Sequence, residues 1–148
     1  MAGISHFLES HSLIALDSSC FIYLVEGSPW EKTVKAVFDS VEKGKLTAVT
    51  SILSLSETLV MPLRRQQGSI AEQYRSLLLH FPHLQLVPMQ APIAERVAAI
   101  RADYRTVRTP DAIQLATALE CGAGAFVTND HRLPKDIIPL ICLDEWIA

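Results

Sequence analysis

Short runs of apolar residues alternate along the chain with longer segments in which apolar residues recur every three or four positions. A short run bounded by turn residues is typical of a buried strand, whereas the longer spacing indicates the apolar face of a helix. The predicted strands are Leu13–Leu16, Leu46–Val49, Leu84–Pro88, Ala125–Thr128 and Ile137–Leu143. The predicted helices are Cys20–Val25, Trp30–Glu42, Ile52–Gln66, Ile70–Phe81, Pro92–Tyr104, a helix that follows Arg108, and a short terminal helix at 144–146.

Strands that alternate with helices predict an α/β fold, a three-layer α/β/α sandwich with a central, mostly parallel sheet. Pro139 interrupts the last apolar run, so we expect that strand at an edge of the sheet. One domain is expected to span residues 1–148, because this length suits one core and no linker or repeat divides the chain. Right-handed crossovers bring the C-terminal ends of parallel strands to one edge, where open α/β sheets place their sites.

Polar residues at the element boundaries predict helix caps. Ser18 and Ser19 are expected to cap the helix after the first strand. Thr50 and Ser51 are expected to cap the helix after the second strand, and Thr109 the helix that carries Pro110 in its first turn.

The helix predicted for Ile52–Gln66 carries an acid beside its apolar side. Its spacing predicts a buried face that consists of Ile52, Leu55, Leu59 and Leu63. Glu57 lies roughly 100° or more from the centre of that face. We therefore expect its carboxylate at the margin of the buried stripe, from which it can reach a cleft.

Four acids fall at the same predicted edge of the sheet. Asp17 and Asp130 follow strands, Asp111 lies at a helix start, and Glu57 lies one turn into a helix. Each acid also has an ordinary explanation. A cap or turn suits Asp17 and Asp130, the helix dipole favours Asp111, and glutamates such as Glu57 are usually exposed. The location that all four share is the stronger argument for a common site.

Converging carboxylates require a counter-charge, because like charges raise one another's pKa. Mg²⁺ or Mn²⁺ meets this need, since these ions prefer oxygen ligands and commonly bridge carboxylates to phosphates. Such an ion can activate water for attack on a phosphodiester and neutralise charge on the leaving oxygen. The pattern therefore predicts metal-assisted phosphodiester hydrolysis, with a cation held by Asp17, Glu57, Asp111 and Asp130.

Net charge places few limits on the partners of the chain. The formal value of −3 is not the basic signature of a nucleic-acid-binding domain, and it excludes no nucleic-acid substrate. Individual arginines can still contact a phosphate backbone. The candidates are Arg64, Arg65, Arg101, Arg105, Arg108 and Arg132.

Cysteine usage and hydropathy point to the cytoplasm. Cys20, Cys121 and Cys142 are odd in number, widely spaced and in apolar settings, which favours reduced thiols over a disulfide framework. No apolar run approaches the roughly 20 residues that span a bilayer. The first residues lack the basic and long apolar regions of a secretory signal. We therefore expect a cytoplasmic protein with no membrane partner.

The segments around the four acids resemble the PIN-domain family, and more narrowly its VapC-type toxin ribonucleases. They are Leu-Ile-Ala-Leu-Asp-Ser-Ser (13–19), Ser-Leu-Ser-Glu-Thr-Leu (54–59), Arg-Thr-Pro-Asp-Ala-Ile-Gln-Leu-Ala-Thr-Ala (108–118) and Phe-Val-Thr-Asn-Asp (126–130). Their order and spacing are similar to the family over essentially the whole chain, including a Leu-Asp-Glu-Trp ending. The Pro-Asp-Ala helix followed by Thr-Asn-Asp is the most specific part of the resemblance.

The resemblance implies a Mg²⁺- or Mn²⁺-dependent endoribonuclease whose acidic pocket corresponds to the four acids. Thr128 and Asn129 match polar positions that accompany such a pocket, and Ser18 is a third supporting candidate. The resemblance also implies an RNA substrate, a homodimer and a cognate antitoxin that inserts a segment near the pocket. The chain departs from the family at His131-Arg132, because an aromatic residue often follows the last acid closely.

Two other functions fit parts of the pattern. An inactive PIN-like module that binds nucleic acid or protein would have the same fold, although loss of an acid is the expected mark of such a module. An aspartyl-phosphate enzyme or a receiver-like domain also places acids at strand ends. The phosphatase version requires an acid where Ser19 stands, and a receiver requires a lysine after a late strand, whereas Lys135 follows Pro134 in a turn.

Overall fold

A computed structural model describes residues 3–146, apart from the side chain of Ser5, and contains a five-stranded sheet. The strands are β1 (Leu13–Leu16), β2 (Thr47–Ser51), β3 (Leu84–Val87), β4 (Ala125–Thr128) and β5 (Leu140–Cys142). Their order is β3-β2-β1-β4-β5, and every pairing is parallel. The predicted α/β class and the parallel sheet are confirmed. The last strand lies at an edge as expected, but it begins only after Pro139, whose carbonyl accepts a hydrogen bond from the Phe126 amide.

Helices cover both faces of this sheet. They are α1 (Ile4–Leu8), α2 (Ser18–Glu26), α3 (Glu31–Glu42), α4 (Leu53–Arg64), α5 (Gly68–His80), α6 (Ala91–Asp103) and α7 (Thr109–Glu120), followed by a 3₁₀ turn at Leu143–Glu145. The sequence pattern missed α1, because a five-residue helix with two buried positions, Ile4 and Leu8, is too short to show a helical period. In the described part of the chain, no helix has the length and apolarity needed to cross a bilayer.

The sheet separates two apolar layers. Ile14 and Leu16 of β1 point into the layer that contains Phe21 and Tyr74, from the helices α2 and α5. Ala15 points to the opposite layer, which α6 and α7 cover with mostly small and aliphatic side chains. A strand that is buried on both faces reads as a continuous apolar run, which explains why β1 and β4 were predicted correctly. This packing fixes the carboxyl ends of the strands in place.

The predicted caps are corrected by the structure. Asp17, and not a serine, occupies the N-cap position of α2, where it makes no side-chain capping bond, and Ser18 is the first helical residue. Thr50 belongs to β2, and its hydroxyl donates to the Leu16 carbonyl at 2.8 Å. Ser51 does accept a bond from the Leu53 amide, at 3.1 Å. Thr109 begins α7, because Arg108 has the extended backbone of a residue that enters a helix.

The predicted buried face of α4 is also wrong. The side chains that α4 buries are Ser54, Thr58 and Pro62, whereas Ile52 and Leu63 are 40% and 57% exposed. Polar groups can be buried here because each has a partner. The Ser54 hydroxyl bonds Thr50, and the Thr58 hydroxyl donates to the Ser54 carbonyl. Leu55 and Leu59, which complete the predicted face, are only partly buried.

Candidate functional site

Two of the acids follow neighbouring strands at the carboxyl end of the sheet. Asp17 follows β1 directly, and Asp130 lies two residues beyond β4. These strands are neighbours, with Leu16 paired to Val127. The Asp17 amide donates to the Val127 carbonyl at 3.0 Å, so the parallel pairing continues to the first acid. The sheet itself therefore brings these two carboxylates to one edge.

Thr128 joins the two strand-end acids. Its hydroxyl donates to Asp17 Oδ2 at 2.7 Å and accepts a bond from the Asp130 amide at 3.1 Å. Thr128 is fully buried, so this bond fixes the rotamer of the Asp17 side chain. The Ser18 hydroxyl lies 3.4 Å from the other carboxylate oxygen of Asp17. Two of the three predicted supporting residues thus contact the first acid.

The other pair of acids lies on helices that a buried glutamine connects. Gln114 Nε2 donates to the Ser54 hydroxyl at 2.9 Å and to Glu57 Oε1 at 3.5 Å, while its carbonyl accepts from the Ser51 amide at 3.3 Å. Gln114 lies one turn after Asp111 on α7. It therefore connects the helix of Asp111 to the helix of Glu57.

Sequence reasoning missed Gln114, although a signal for it existed. Positions three apart on a helix are neighbours, so Asp111 and Gln114 share one side of α7. An amide in a helix otherwise rich in alanine and leucine, with 4% of its surface exposed, requires hydrogen-bond partners. Those partners lie on β2 and α4, whose proximity could not be predicted from local spacing.

The carboxylates of Asp17, Glu57 and Asp111 are hard to ionise. Burial raises the pKa of each of the three, and this is the largest cause in every case. The charge of Asp111 raises the pKa of Asp17 further, against the hydrogen bond from Thr128, which lowers it. The pKa of Glu57 is also raised by the charges of Asp17 and Asp111. These effects indicate that Asp17, Glu57 and Asp111 are close enough for their charges to influence one another.

Asp130 lies near these acids, but its pKa is shifted in the opposite direction. Its charge raises the pKa of Asp111, and both residues line the smaller of two clefts at this edge. Arg132 donates through Nε to Asp130 Oδ1 and through Nη2 to Oδ2, both at 3.0 Å, and these bonds lower the pKa of Asp130. The Arg132 amide also donates to Oδ1 at 2.9 Å, which is the turn geometry expected after a strand. Asp130 is therefore both a turn residue and part of the acidic cluster.

The structure brings two of the predicted arginines to the acids. Arg132 pairs with Asp130, and Arg108 Nε lies 3.9 Å from Asp111 Oδ2. Both guanidinium groups are largely exposed. The other predicted arginines are exposed elsewhere, at the end of α4 (Arg64 and Arg65), near the end of α6 (Arg101) and in the turn that follows α6 (Arg105).

Asn129, another of the predicted supporting residues, contacts the 3₁₀ turn near residue 144. Its side-chain carbonyl accepts a bond from the Asp144 amide at 3.2 Å, which ties the loop after β4 to the 3₁₀ turn near the end of the chain. Asn129 also lies on the wall of the cleft beside Asp17. It thus supports the pocket by holding the loop that carries Asp130.

Two adjacent clefts open at these acids. The residues that line the larger, of about 340 Å³, are Asp17, Ser18, Ser19, Tyr23, Asn129, Asp130 and Arg132. The residues that line the smaller, of about 140 Å³, are Thr106, Val107, Arg108, Asp111, Asp130, Arg132 and Leu133. Asp130 and Arg132 are common to both, so this ion pair separates the clefts. Among the described residues, Ser19 Oγ is buried without a hydrogen-bond partner at the wall of the larger cleft.

The donor set fits a hard divalent cation. All four acids offer oxygen ligands, as Mg²⁺ and Mn²⁺ prefer. Within residues 3–146, the nearby arginines pair with Asp111 and Asp130, whereas Asp17 and Glu57 have no cationic partner. A bound cation would supply the missing positive charge beside these two groups.

A family model described as PIN domain matches residues 14–136, which include all four acids. The chain belongs to the PIN domain family, as the sequence segments suggested. A search among curated proteins finds no match.

Solved structures with the same fold include components of toxin–antitoxin complexes. A toxin–antitoxin complex from Klebsiella pneumoniae contains a chain 22% identical to this one, with a TM-score of 0.68 over 88% of this chain and 97% of that chain. VapBC2 from Rickettsia felis, bound to a DNA fragment from its promoter, gives 14% identity and a TM-score of 0.72 over 88% and 98% of the respective chains. VapC20 from Mycobacterium tuberculosis, described as a sarcin-ricin loop cleaving toxin, gives 21% identity and a TM-score of 0.61 over 84% of this chain and 92% of that chain. Identities this low establish the shared fold alone.

Proposed function

We propose that the chain is a Mg²⁺- or Mn²⁺-dependent endoribonuclease that hydrolyses phosphodiester bonds of single-stranded RNA. Asp17, Glu57, Asp111 and Asp130 are its catalytic residues and metal ligands. The observation that carries this proposal is the group of partly buried carboxylates at the carboxyl edge of the sheet, three of which (Asp17, Glu57 and Asp111) have a raised pKa. Ionised oxygens in that setting are stabilised by a hard cation, and phosphodiester cleavage is the chemistry that such a cation supports.

The chain orients two of its acids, Asp17 and Glu57, with neutral hydrogen-bond donors. Thr128 holds Asp17, and Gln114 donates to Glu57 while it bridges α4 and α7. The bound ion supplies activation of water and neutralisation of the leaving oxygen. These uncharged donors fix the carboxylates of Asp17 and Glu57 but leave their charge for the ion, so this part of the pocket is organised before metal and substrate arrive.

Substrate binding is assigned to the two clefts. Arg108 and Arg132 can contact phosphates on either side of the scissile bond, since both are exposed at the rim. Tyr23 lines the larger cleft, where its ring can stack on an unpaired base. The remaining candidates for contacts with more distant phosphates are Arg64, Arg65, Arg101 and Arg105.

The biological role that we propose is the toxin of a type II toxin–antitoxin pair. Support comes from the structural neighbours in toxin–antitoxin complexes, and from VapC20, which is described as cleaving a sarcin-ricin loop. The proposed partners are therefore an RNA substrate, a cognate antitoxin and a second copy of this chain in a homodimer. The proposed localisation is the cytoplasm, where a toxin of this kind would meet both its RNA substrate and its antitoxin.

The test is a cleavage assay on pools of tRNA, rRNA and mRNA with the purified chain. Cleavage is expected with Mg²⁺ or Mn²⁺, and its loss is expected with a chelator. Asp111→Asn removes one ligand charge and should abolish cleavage without a change in far-ultraviolet circular dichroism. Asp103→Asn is the matched control, because Asp103 is an exposed aspartate at the end of α6.

Calorimetric titration with Mn²⁺ separates this proposal from an inactive binding module. A nuclease should bind the ion, and Asp111→Asn should weaken that binding. A folded chain that neither binds Mn²⁺ nor cleaves any RNA pool would favour the inactive module. Cleavage that persists undiminished in Asp111→Asn would remove this residue from the proposed site.

A further inference from the structure

A second group of metal-ligating side chains lies beside the acidic pocket. His131, Cys142 and Glu145 each offer one ligand atom, and these atoms all lie within 4.8 Å of one another. The sheet explains this convergence, because Thr128 of β4 is paired with Cys142 of β5. His131 lies three residues beyond Thr128, and Glu145 lies three residues beyond Cys142. The three side chains therefore lie close together because they lie at or just beyond the ends of two adjacent parallel strands.

Asp144 gives the histidine a defined orientation. His131 Nε2 lies 2.9 and 2.8 Å from the two carboxylate oxygens of Asp144, while Nδ1 lies 3.9 Å from Glu145 Oε1. When Nε2 carries the proton and donates it to Asp144, the lone pair is on Nδ1. Histidines that bind metals almost always donate their other ring N–H to such a partner. Asp144 is itself held through its amide by Asn129.

We propose that His131 Nδ1, Cys142 Sγ and the Glu145 carboxylate form a binding site for a thiophilic divalent cation such as Zn²⁺. Imidazole and thiolate ligands select zinc over magnesium, whereas the acidic pocket offers only oxygen. With Zn–S near 2.3 Å and Zn–N near 2.0 Å, tetrahedral ligands are about 3.3–3.6 Å apart. The present spacing, at most 4.8 Å, needs to tighten by up to about 1.5 Å to reach that geometry.

The side chains allow this adjustment. Cys142 is 4% exposed and is fixed by the edge strand, so it serves as the anchor. His131 and Glu145 are 45% and 61% exposed, and their rotamers can change without disturbance of the core. Water can complete the coordination, as in other zinc sites with three protein ligands. The ion would join the loop that carries Asp130 to the 3₁₀ turn near the chain end.

Cobalt spectroscopy tests the site without reference to nuclease activity. Chelator-treated protein is titrated with Co²⁺, and a thiolate ligand is detected by sulfur-to-cobalt charge-transfer absorption in the near ultraviolet. The band is expected in the unaltered chain and should be lost in Cys142→Ser. Cys121→Ser is the matched control, because Cys121 is a free, partly exposed thiol outside this cluster. Zn²⁺ should displace Co²⁺, whereas excess Mg²⁺ should not.

Two surface variants keep the test decisive if Cys142→Ser fails to fold. His131→Gln and Glu145→Gln alter exposed side chains. Each should weaken Co²⁺ binding at least about tenfold, since loss of a residue that only supports a metal ligand already costs about that much. Zn²⁺ should raise the melting temperature of the unaltered chain more than that of either variant. Asp17→Asn should retain the band, because Asp17 belongs to the other site. Absence of a thiolate band, or a band that Cys121→Ser removes, would overturn the proposal.

Discussion

The two sides of the acidic pocket hold their carboxylates by different means. On one side, Asp17 and Glu57 receive hydrogen bonds from the neutral groups of Thr128 and Gln114, and burial raises the pKa of both acids. On the other side, Asp130 receives two bonds from a guanidinium, which lowers its pKa. Neutral donors orient a carboxylate without cancelling its charge, whereas an arginine orients the carboxylate and also cancels its charge.

This difference indicates where a cation is needed. Asp17 and Glu57 lie in a partly desolvated setting that penalises their ionised form, and a divalent ion compensates that penalty. Asp130 is already neutralised by Arg132, whose guanidinium is 81% exposed. An exposed ion pair contributes little stability, about 0–1 kcal/mol, so Arg132 can leave Asp130 for a substrate phosphate at small cost. The first side is thus suited to the metal and the second to exchange with RNA.

The largest effect is expected from Asp17→Asn. The amide keeps the shape of the side chain and can still accept the bond from Thr128, but it removes the charge from this partly buried position. Mn²⁺ affinity and RNA cleavage should fall by more than about 100-fold, beyond the ~10- to 100-fold typical of residues that only support a metal ligand. In the absence of metal, the melting temperature should rise by a few degrees, at about 2–4 °C for each kcal/mol in a chain of this size. Calorimetry and thermal denaturation measure both changes.

Asp103→Asn is the control for this variant and should change neither quantity. A metal-free Asp17→Asn protein that melts below the unaltered chain would contradict the claim that Asp17 carries unfavourable charge. Loss of activity together with gain of stability is the combination expected of a functional acid, because binding sites keep charges that folding alone would remove. If Asp17 only capped α2, its replacement by asparagine would not raise the melting temperature of the metal-free chain.

A smaller effect is expected from Thr128→Val, which breaks both contacts of the hydroxyl. Asp17 loses its orienting bond, so cleavage should fall by about 10- to 100-fold. The Asp130 amide loses its acceptor, which should cost about 1–3 kcal/mol of unfolding free energy. Denaturant titration and cleavage kinetics measure the two losses.

Thr117→Val is the matched control, because Thr117 is equally buried and its hydroxyl bonds only the Ile113 carbonyl of its own helix. This control should retain cleavage. Equal activity of Thr128→Val and Thr117→Val would show that the hydroxyl of Thr128 has no role in the pocket.

The fold, and the positions of the four acids within it, could be predicted because they depend on short-range patterns. Continuous apolar runs define β1 and β4, and strand ends place Asp17 and Asp130 at one edge once the sheet is parallel. The position of Asp111 was predicted from the start of the helix that carries Pro110 in its first turn. The role of these residues stays a proposal, since neither the fold nor the family match tests metal binding or cleavage.

The parts that sequence reasoning missed depend on contacts between distant segments. The buried face of α4 was assigned to leucines, but Ser54 and Thr58 are buried there because partners on β2 and α4 itself satisfy their hydroxyls. Gln114 bridges residues about 60 positions away along the chain. Arg132 was proposed as an RNA contact, yet its bidentate bond to Asp130 could not be anticipated from composition.

The two sides should also differ in how pH affects stability. Burial raises the pKa of Asp17, Glu57 and Asp111 above their ordinary values of 3.8, 4.5 and 3.8, so near those values the folded, metal-free chain binds more protons than the unfolded chain. These acids therefore make the chain less stable as pH rises from about 4 through their raised pKa values. Asp130 acts in the opposite sense, because its stabilising contribution is present above 3.8 and is lost as pH falls through its lowered pKa.

Denaturant titrations across this pH range, with and without Mg²⁺, measure the difference. The gap in unfolding free energy between metal-free Asp17→Asn and the unaltered chain should widen as pH rises through the interval, and saturating Mg²⁺ should close or reverse it. A gap that is independent of pH would mean that the pKa of Asp17 is not raised in the folded chain.

The smallest effect is expected from Arg132→Gln. Because the Arg132–Asp130 pair is exposed, its loss should change the unfolding free energy by less than about 1 kcal/mol. The pKa of Asp130 should rise, which can be followed by NMR titration of its carboxyl carbon. Cleavage should fall less than about tenfold, mainly through a higher KM, since one phosphate contact is lost while the ligands for metal remain. Lys135→Gln, an exposed cation on the same loop, is the control and should leave KM unchanged. A large fall in kcat with constant KM would instead mean that Arg132 acts at the reacting phosphate, and the division of the pocket into a metal side and an exchange side would then fail.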